Sequence, residues 1–475
     1  MQKGLCCLAV GVMLSSFAAN EAVAAPSPWG WAVITNQGNG LSNTEPGFVG
    51  ESIYTVDLSS NSPVVHGPFL SGQLGPLDPV THEPVYGGGV FDVTQIPETK
   101  DVLISNFGYN MIFRVSLVDP TNPVVVGSVE IDFFAEDIAI SKDGRLAIVT
   151  DGGFSPKAAF IDVQTMTHKS TAHMHEGPPY DEATPPDPLP TEHYANAVVI
   201  TPDGKTAIMA NYFGSSVVYG RINAAQDGFE STHELKLCNT WDPVAKSCGD
   251  YLARPVNLSI SPDGQTVIVN DAGWGMVSVL RVTGPGQVVA GTPFQLWGFP
   301  DTYNDYDLYE NYTPPAAQGH GSAAASQSTS FSPDGRRAYI LQNATNSYTW
   351  DGTQWVADST VPNKLSWVSI DGPGQASFGG YGVADLYCDS GSQLFGVDTL
   401  AIDKSGRYAY AANPTLSGSS SSITRVDLSS FATTEISFDM DSDAATHPIP
   451  TGIAILAPGF DWSMFMPAIA HNHSE

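Results

Sequence analysis

Residues 259–271, Ser-Ile-Ser-Pro-Asp-Gly-Gln-Thr-Val-Ile-Val-Asn-Asp, read as two short strands around a tight turn. Ile260 closes an apolar strand, Pro262 presets φ, Asp263 can bond to its own backbone, and Gly264 takes the position that disfavours a Cβ. Val267, Ile268 and Val269 then resume a β-branched extended run. One such hairpin is only marginally stable in water, so it needs neighbours to cover its faces. The chain supplies them, because the same unit recurs at residues 137–144, 197–204, 257–264, 328–335 and 399–406. A sixth copy runs from Asp92 through Ile96-Pro97-Glu98-Thr99 to Asn106 without the Gly. A seventh is divided between the two ends of the chain, with residues 452–456 supplying one strand and residues 32–36 the other.

Further strands follow the hairpins, as at residues 158–163, 277–282 and 422–428, so each copy predicts a four-stranded sheet. No such sheet can bury both faces alone, and a radial ring leaves only short, protected edges. The fold predicted is therefore all-β: a seven-bladed β-propeller whose last blade is closed by N- and C-terminal strands. With 46 Gly, 35 Pro and 10% aromatic residues, the composition favours strands and turns over helices. The copies are spaced more widely than the ~40 to 50 residues of a plain blade. The surplus is expected as insertions near 173–195, 297–325, 347–362 and 372–396.

Residues 1–24 have the form of a cleaved signal peptide, with Lys3 before an apolar run and Ala22-Val23-Ala24 as the cleavage site. Residues 25–475 are then one exported domain, periplasmic or extracellular, without a membrane span. Cys6 and Cys7 leave with the signal; Cys238 and Cys248 flank a polar loop and are candidates for a disulfide, and Cys388 is left over. The formal charge of −30, from 49 acidic and 19 basic residues, argues against nucleic acid or an anionic membrane as partner. It suits a cationic ligand, a metal ion or a basic protein, as well as plain solubility.

The second-strand endings Val33-Ile-Thr-Asn36, Val149-Thr-Asp151, Met209-Ala-Asn211 and Ala411-Ala-Asn413, with the Ser-Pro-Asp-Gly turns, resemble the seven-bladed YVTN-type propellers. That superfamily includes lactonase-like propellers and amine dehydrogenase heavy chains. The resemblance implies the fold over nearly the whole mature chain, and a lactonase-like hydrolase as one activity. One scaffold serves many functions, so the activity rests on the site.

In such a ring the innermost strands start, and the second strands end, on one face around the central channel. Asp143, Asp203, Asp263 and Asp334 belong to turns on the opposite face. The second strands close on Asn36, Asn106, Asp151, Asn211, Asp271, Gln342 and Asn413, and the inner strands open on Asp92, Asp137 and Asn257. These are the ligand-binding candidates; the competing reading is that they bond to nearby backbone and terminate strands. His82, His193, His320 and His447, four of the 11 histidines, lie in the segments leading into alternate inner strands and are candidates to hold a divalent metal ion. His173 and His175 form a second pair of one-sided spacing. The insertion at 177–192 is Pro-rich and acidic, and that at 297–320 sets Tyr303, Tyr306, Tyr309 and Tyr312 among Asp301, Asp305, Asp307 and Glu310. An aromatic and acidic rim suits a cationic, aromatic or sugar-like ligand, or a docking protein.

No Gly-x-Ser-x-Gly elbow, phosphate loop, dinucleotide fingerprint or zinc-protease helix occurs. Two readings remain. The chain is a monomeric exported propeller binding a small molecule or protein on its looped face, or a lactonase-like or metal-assisted hydrolase using His and Asp at the channel mouth.

Overall fold

The second strand of each repeat is apolar at successive positions instead of alternate ones, the pattern of a strand covered on both faces. The computed structural model accounts for it: each blade is sandwiched between two others. The structure describes residues 30–36, 51–60, 62–76, 78, 80–81, 89–152, 157–173, 195–212, 214–238, 240–242, 247–250, 255–271, 276–295, 320–322, 325–343, 347–350, 355–357, 364–384, 399–413, 422–438 and 450–456. Seven antiparallel blades form the ring. Their innermost strands are Pro450–Leu456 (blade 1), Val90–Gln95, Ala135–Ile140, Ala195–Ile200, Pro255–Ile260, Ala325–Phe331 and Leu400–Ile402 (blade 7). The second strands are Trp31–Asn36, Asp101–Asn106, Leu146–Asp151, Thr206–Asn211, Thr266–Asp271, Arg337–Asn343 and Tyr408–Asn413.

Blade 1 is closed as expected: Trp31 to Asn36 pair antiparallel with Pro450 to Leu456, Ile34 opposite Ile453. Adjacent residues of one strand serve opposite neighbours. Val33 packs with blade 2 residues Val93 and Ile104, while Ala32 and Ile34 pack with Tyr408 and Tyr410 of blade 7. The same division at each interface yields seven separate apolar clusters. Burying each Val, Leu or Ile contributes roughly 1.5–3 kcal/mol, so the ring is held by its interfaces and not by one central core. Among the described residues the only helical element is the 3₁₀ turn Phe107–Tyr109.

The predicted turns are present. Gly144, Gly204, Gly264, Gly335 and Gly406 all have φ between +68° and +73°. In the copy lacking Gly, Glu98 takes the left-handed conformation at φ 61°. Ser141, Thr201, Ser261 and Ser332 each donate a 2.6 Å hydrogen bond to the Asp two residues on, which supports the turn reading of Asp143, Asp203, Asp263 and Asp334.

Two strand groups lie outside the blades. Thr240–Asp242 pairs with Ser247–Asp250, and His320–Ser322 joins Ser347–Trp350 and Trp355–Ala357 in a three-stranded sheet. The second group unites the insertions expected near 297–325 and 347–362. The insertion expected over 372–396 is narrower, because Gln375–Ala384 is the fourth strand of blade 6. Residues 1–24, with the expected signal peptide, lie outside the described residues.

Candidate functional site at the channel mouth

Strand register fixes which ends meet. Val90 pairs with Asn106, Ala135 with Asp151, Ala195 with Asn211, Pro255 with Asp271 and Pro450 with Asn36, so inner-strand starts and second-strand ends share one face. The candidates on these ends therefore reach the same mouth. The side chains of Asp92, Asp137 and Asn257, however, are drawn into the walls between blades.

The cause is a β-bulge at the start of the inner strands. The register shifts between Val90 and Val93, Ala135 and Ile138, Ala195 and Val198, and Pro255 and Asn257. An extra residue bends the strand and re-aims the side chain beside it. Asp92 Oδ2 thus accepts from Ile138 N of the next blade at 3.1 Å, and Asp137 Oδ2 from Val198 N at 2.6 Å. Asn257 Oδ1 accepts from Thr329 N at 3.2 Å. A second set of ties runs in the same direction from the penultimate residue of the second strand. Thr35 Oγ1 donates to Phe91 O at 3.0 Å, Ser105 Oγ to Glu136 O at 2.7 Å, and Asn270 Oδ1 accepts from Thr329 Oγ1 at 2.7 Å.

Three of the second-strand ends, Asn36, Asn106 and Asn211, bond nearby. Asn36 Nδ2 donates to Ser52 Oγ at 3.0 Å, and Asn211 Nδ2 to Ser216 Oγ at 3.0 Å while its Oδ1 accepts from Gly214 N. Asn106 accepts from Gly108 N and donates to Leu74 O. Asn36, Asp92, Asn106, Asp137, Asp151, Asn211, Asn257 and Asp271 are all buried. The backbones of Gln342 and Asn413 stand on second strands at the mouth end, Gln342 paired with Ser326 and Asn413 with Ser422.

Of the four proposed metal-ligating histidines, His82, His193 and His447 lie outside the described residues, and His320 is described only as backbone of the three-stranded sheet. His175 also lies outside, whereas His173 ends the fourth strand of blade 3. Among the described residues no group of three His, Cys, Asp or Glu side chains is set to hold a metal ion. Cys238 follows the fourth strand of blade 4, and Cys248 lies on the adjoining hairpin opposite Trp241.

Other mouth residues escaped the sequence reading. Phe91, Phe107 and Phe134 form a ladder with ring centroids 5.9 and 5.4 Å apart, and Phe134 is 45% exposed. All three flank strand ends at the mouth, a placement legible once the blade is accepted. Glu136 and Asn196 are buried beside the bulges, and Asn196 Nδ2 donates to Val256 O at 3.0 Å. At the mouth edge, backbone amides of Thr81 and Val80 hold the Asp78 carboxyl below its ordinary range. Burial works against ionised Asp132, but the Thr171 hydroxyl donating at 2.6 Å leaves it below that range as well.

Charge divides between the faces. Lys100, Lys142, Arg145, Lys205, Arg336, Lys404 and Arg407 sit in or beside the turns away from the mouth. Arg221 and Arg281 lie opposite the starts of second strands at the same end. At the mouth end the strands carry Lys157, Lys236 and Lys364. The segment 174–194, which joins mouth-side strand ends, contains Glu176, Asp181, Glu182, Asp187 and Glu192 and no Lys or Arg. Segment 296–319 contains Asp301, Asp305, Asp307 and Glu310, again with no Lys or Arg. Between the faces runs a cavity of about 350 Å³ lined by inner-strand residues of all seven blades.

No protein-family model and no curated protein matches the chain. Solved structures do. A periplasmic gluconolactonase from Pseudomonas aeruginosa is 15% identical, with TM-score 0.55 over 90% of this chain and 99% of that one. A 6-phosphogluconolactonase candidate from Bacteroides fragilis is 13% identical, with TM-score 0.54 over 90% and 99%. A Lactobacillus plantarum protein is 13% identical, with TM-score 0.56 over 90% and 99%. The chain thus shares the seven-bladed fold of lactonase-like propellers.

Proposed function

We propose that this is an exported, monomeric propeller whose mouth face binds a cationic ligand or a basic segment of a partner. The observation that carries this reading is the charge of two long mouth-side connections: 174–194 and 296–319 hold nine acidic residues and several Tyr with no Lys or Arg, whereas at the turn end basic residues stand beside the turn Asp residues. Acidic groups spread over one face raise the local concentration of cations and speed their encounter. Tyrosines such as Tyr303 and Tyr306 add faces that attract an ammonium or guanidinium group. The lowered pKa values of Asp78 and Asp132 support a mouth that keeps its charge into mild acid. The leader-like N-terminus supports export, and a ring closed on itself supports a monomer. A Cys238–Cys248 bond would brace the hairpin between blades 4 and 5, and a mass shift on alkylation only after reduction tests it.

Calorimetry with spermine and with a lysine octapeptide tests the binding reading. Binding is expected to weaken steeply with salt. Neutralising Asp301, Asp305, Asp307 and Glu310 together should weaken it about tenfold, while neutralising the turn residues Asp203 and Asp263 should leave it unchanged. Equal effects from both faces, or no binding, would defeat the reading.

The structural neighbours favour a second reading, hydrolysis of a lactone at the mouth. A phosphorylated substrate is disfavoured, because among the described residues no Lys or Arg lines the cavity, and the net charge is −30. Turnover of neutral sugar lactones, measured by acid release, tests this reading separately from ligand binding.

A further inference from the structure

From the central cavity we infer a binding site for a small uncharged molecule, one with a hydrocarbon body and a single hydroxyl or carbonyl group. This site is distinct from the acidic mouth. It rests on what the inner strands turn toward the axis. Thr94, Ala139, Val199, Ser259, Ser330 and Ala401 line the cavity from blades 2 to 7. All are small or aliphatic, so the space of about 350 Å³ stays open, and it falls within the usual range for ligand sites, roughly 300–1,000 Å³.

Charge is kept off this wall. Among the described residues the only ionisable one lining the cavity is Asp137, and its oxygens face backbone amides, Oδ2 at 2.6 Å from Val198 N and Oδ1 at 2.9 Å from Ile138 N. An ion entering would lose its hydration with no opposite charge to replace it, which is costly. A neutral molecule meets no such penalty, and its apolar body is covered by Ala139, Val199 and Ala401.

Polarity is placed on one side. The Thr94 hydroxyl is within hydrogen-bond reach of Ile138 O at 3.0 Å and Asp92 Oδ2 at 3.2 Å, and so belongs to the wall. Ser259 and Ser330, on the adjacent blades 5 and 6, are half-buried and line the cavity. Their strand neighbours point the other way: Leu258 packs into the interface with blade 4, and Phe331 into that with blade 5. Thr329, which is bonded to Asn270 and backed by Asn257, is likewise turned into the wall. Two serines on adjacent blades, among aliphatic lining residues, fit one oxygen function on an otherwise apolar molecule.

Saturation-transfer NMR on the full chain, with cyclohexanol as probe and cyclohexylammonium and cyclohexanecarboxylate as charged counterparts, tests the site. Cyclohexanol is expected to bind at least about tenfold more tightly than either ion. The Ser259→Ala/Ser330→Ala variant should weaken cyclohexanol about three- to tenfold, and Ala401→Phe, which fills the channel, should abolish it. If Ala401→Phe fails to fold, the serine double variant decides alone, since it removes two hydroxyls and leaves the packing intact. The inference is overturned by absence of cyclohexanol binding, by unchanged binding in the serine variant, or by cyclohexanol binding that survives the filled channel. Cyclohexylammonium binding equal to that of cyclohexanol would assign the probe to the acidic mouth and also overturn it.

Discussion

The two faces of the ring are built from the same repeat but use it differently. On the turn face one motif is repeated with little change. A hydroxyl donates to the Asp two residues on, and that Asp accepts from the amide two residues further, at Arg145, Lys205, Gln265 and Arg336. Blade 7 exchanges the pair, with Asp403 accepting from Ser405. On the mouth face each blade differs. The inter-blade acceptor is Asp92, Asp137 or Asn257 in three blades, is replaced by Ala197 in blade 4, and is replaced by Gly452 in blade 1. A turn closes its own hydrogen bonds within six residues. A mouth residue works only against the next blade, so its chemistry varies with what that blade presents. The Asp92 and Asp137 carboxylates therefore first serve to join blades, which leaves ligand chemistry to the connections and the channel.

The largest effect that could break this comparison is loss of an inter-blade tie. Asp137→Ala removes the acceptor for buried Val198 N and should destabilise by about 3 kcal/mol, combining a charge-assisted hydrogen bond with an unsatisfied buried donor. Asp137→Asn keeps an acceptor and should cost about 1 kcal/mol. Urea unfolding measures both. If Asp137→Ala proved as stable as the parent but lost ligand, Asp137 would be a mouth residue in the functional sense after all.

On the turn face, two equivalent glycines separate backbone strain from crowding. Both are left-handed, Gly204 at φ +69° and Gly264 at φ +73°. A Cβ at Gly204 meets nothing within 4 Å, whereas one at Gly264 would lie 2.5 Å from Pro202 Cδ. Gly204→Ala should cost about 1 kcal/mol from conformation alone. Gly264→Ala should cost about 2–3 kcal/mol, since Pro202 belongs to the turn of the previous blade and must shift. Equal losses would mean that neighbouring turns do not press on one another.

The turn face was legible in the sequence because its contacts are local. Ser261, Asp263, Gly264 and Thr266 form one hydrogen-bonded unit, and their order along the chain already describes it. The split blade was legible too, since residues 32–36 complete the strand pattern that residues 452–456 leave open. The fate of the mouth residues was not. Asp92 reaches a partner 46 residues away, Asp137 one 61 residues away and Asn257 one 72 residues away, because each connection has its own length. The bulges that re-aim Asp92 and Asp137 add one residue each, and the residues they span, 90–93 and 135–138, include no Gly or Pro to announce them. Periodicity assigns Asp92 and Asp137 to strand starts at the mouth but cannot say whether they face the axis or the wall.

The smallest expected effect concerns acid. The Ser332 hydroxyl and the Arg336 amide both donate to Asp334 and hold its carboxyl below the ordinary carboxylate value. A group whose pKa is depressed in the folded state stabilises the fold above its unfolded pKa, about 3.9 for Asp, and loses that contribution as pH falls through the lower folded value. Asp334→Asn should therefore narrow the stability gap to the parent as pH drops below about 4, by only a few tenths of a kcal/mol because the turn is solvated. Ligand binding at pH 7 should not change, since the turn lies at the far end of the ring. A variant that lost ligand at neutral pH while keeping its acid stability would show that the turn face communicates with the mouth, and the division of labour between the faces would fall.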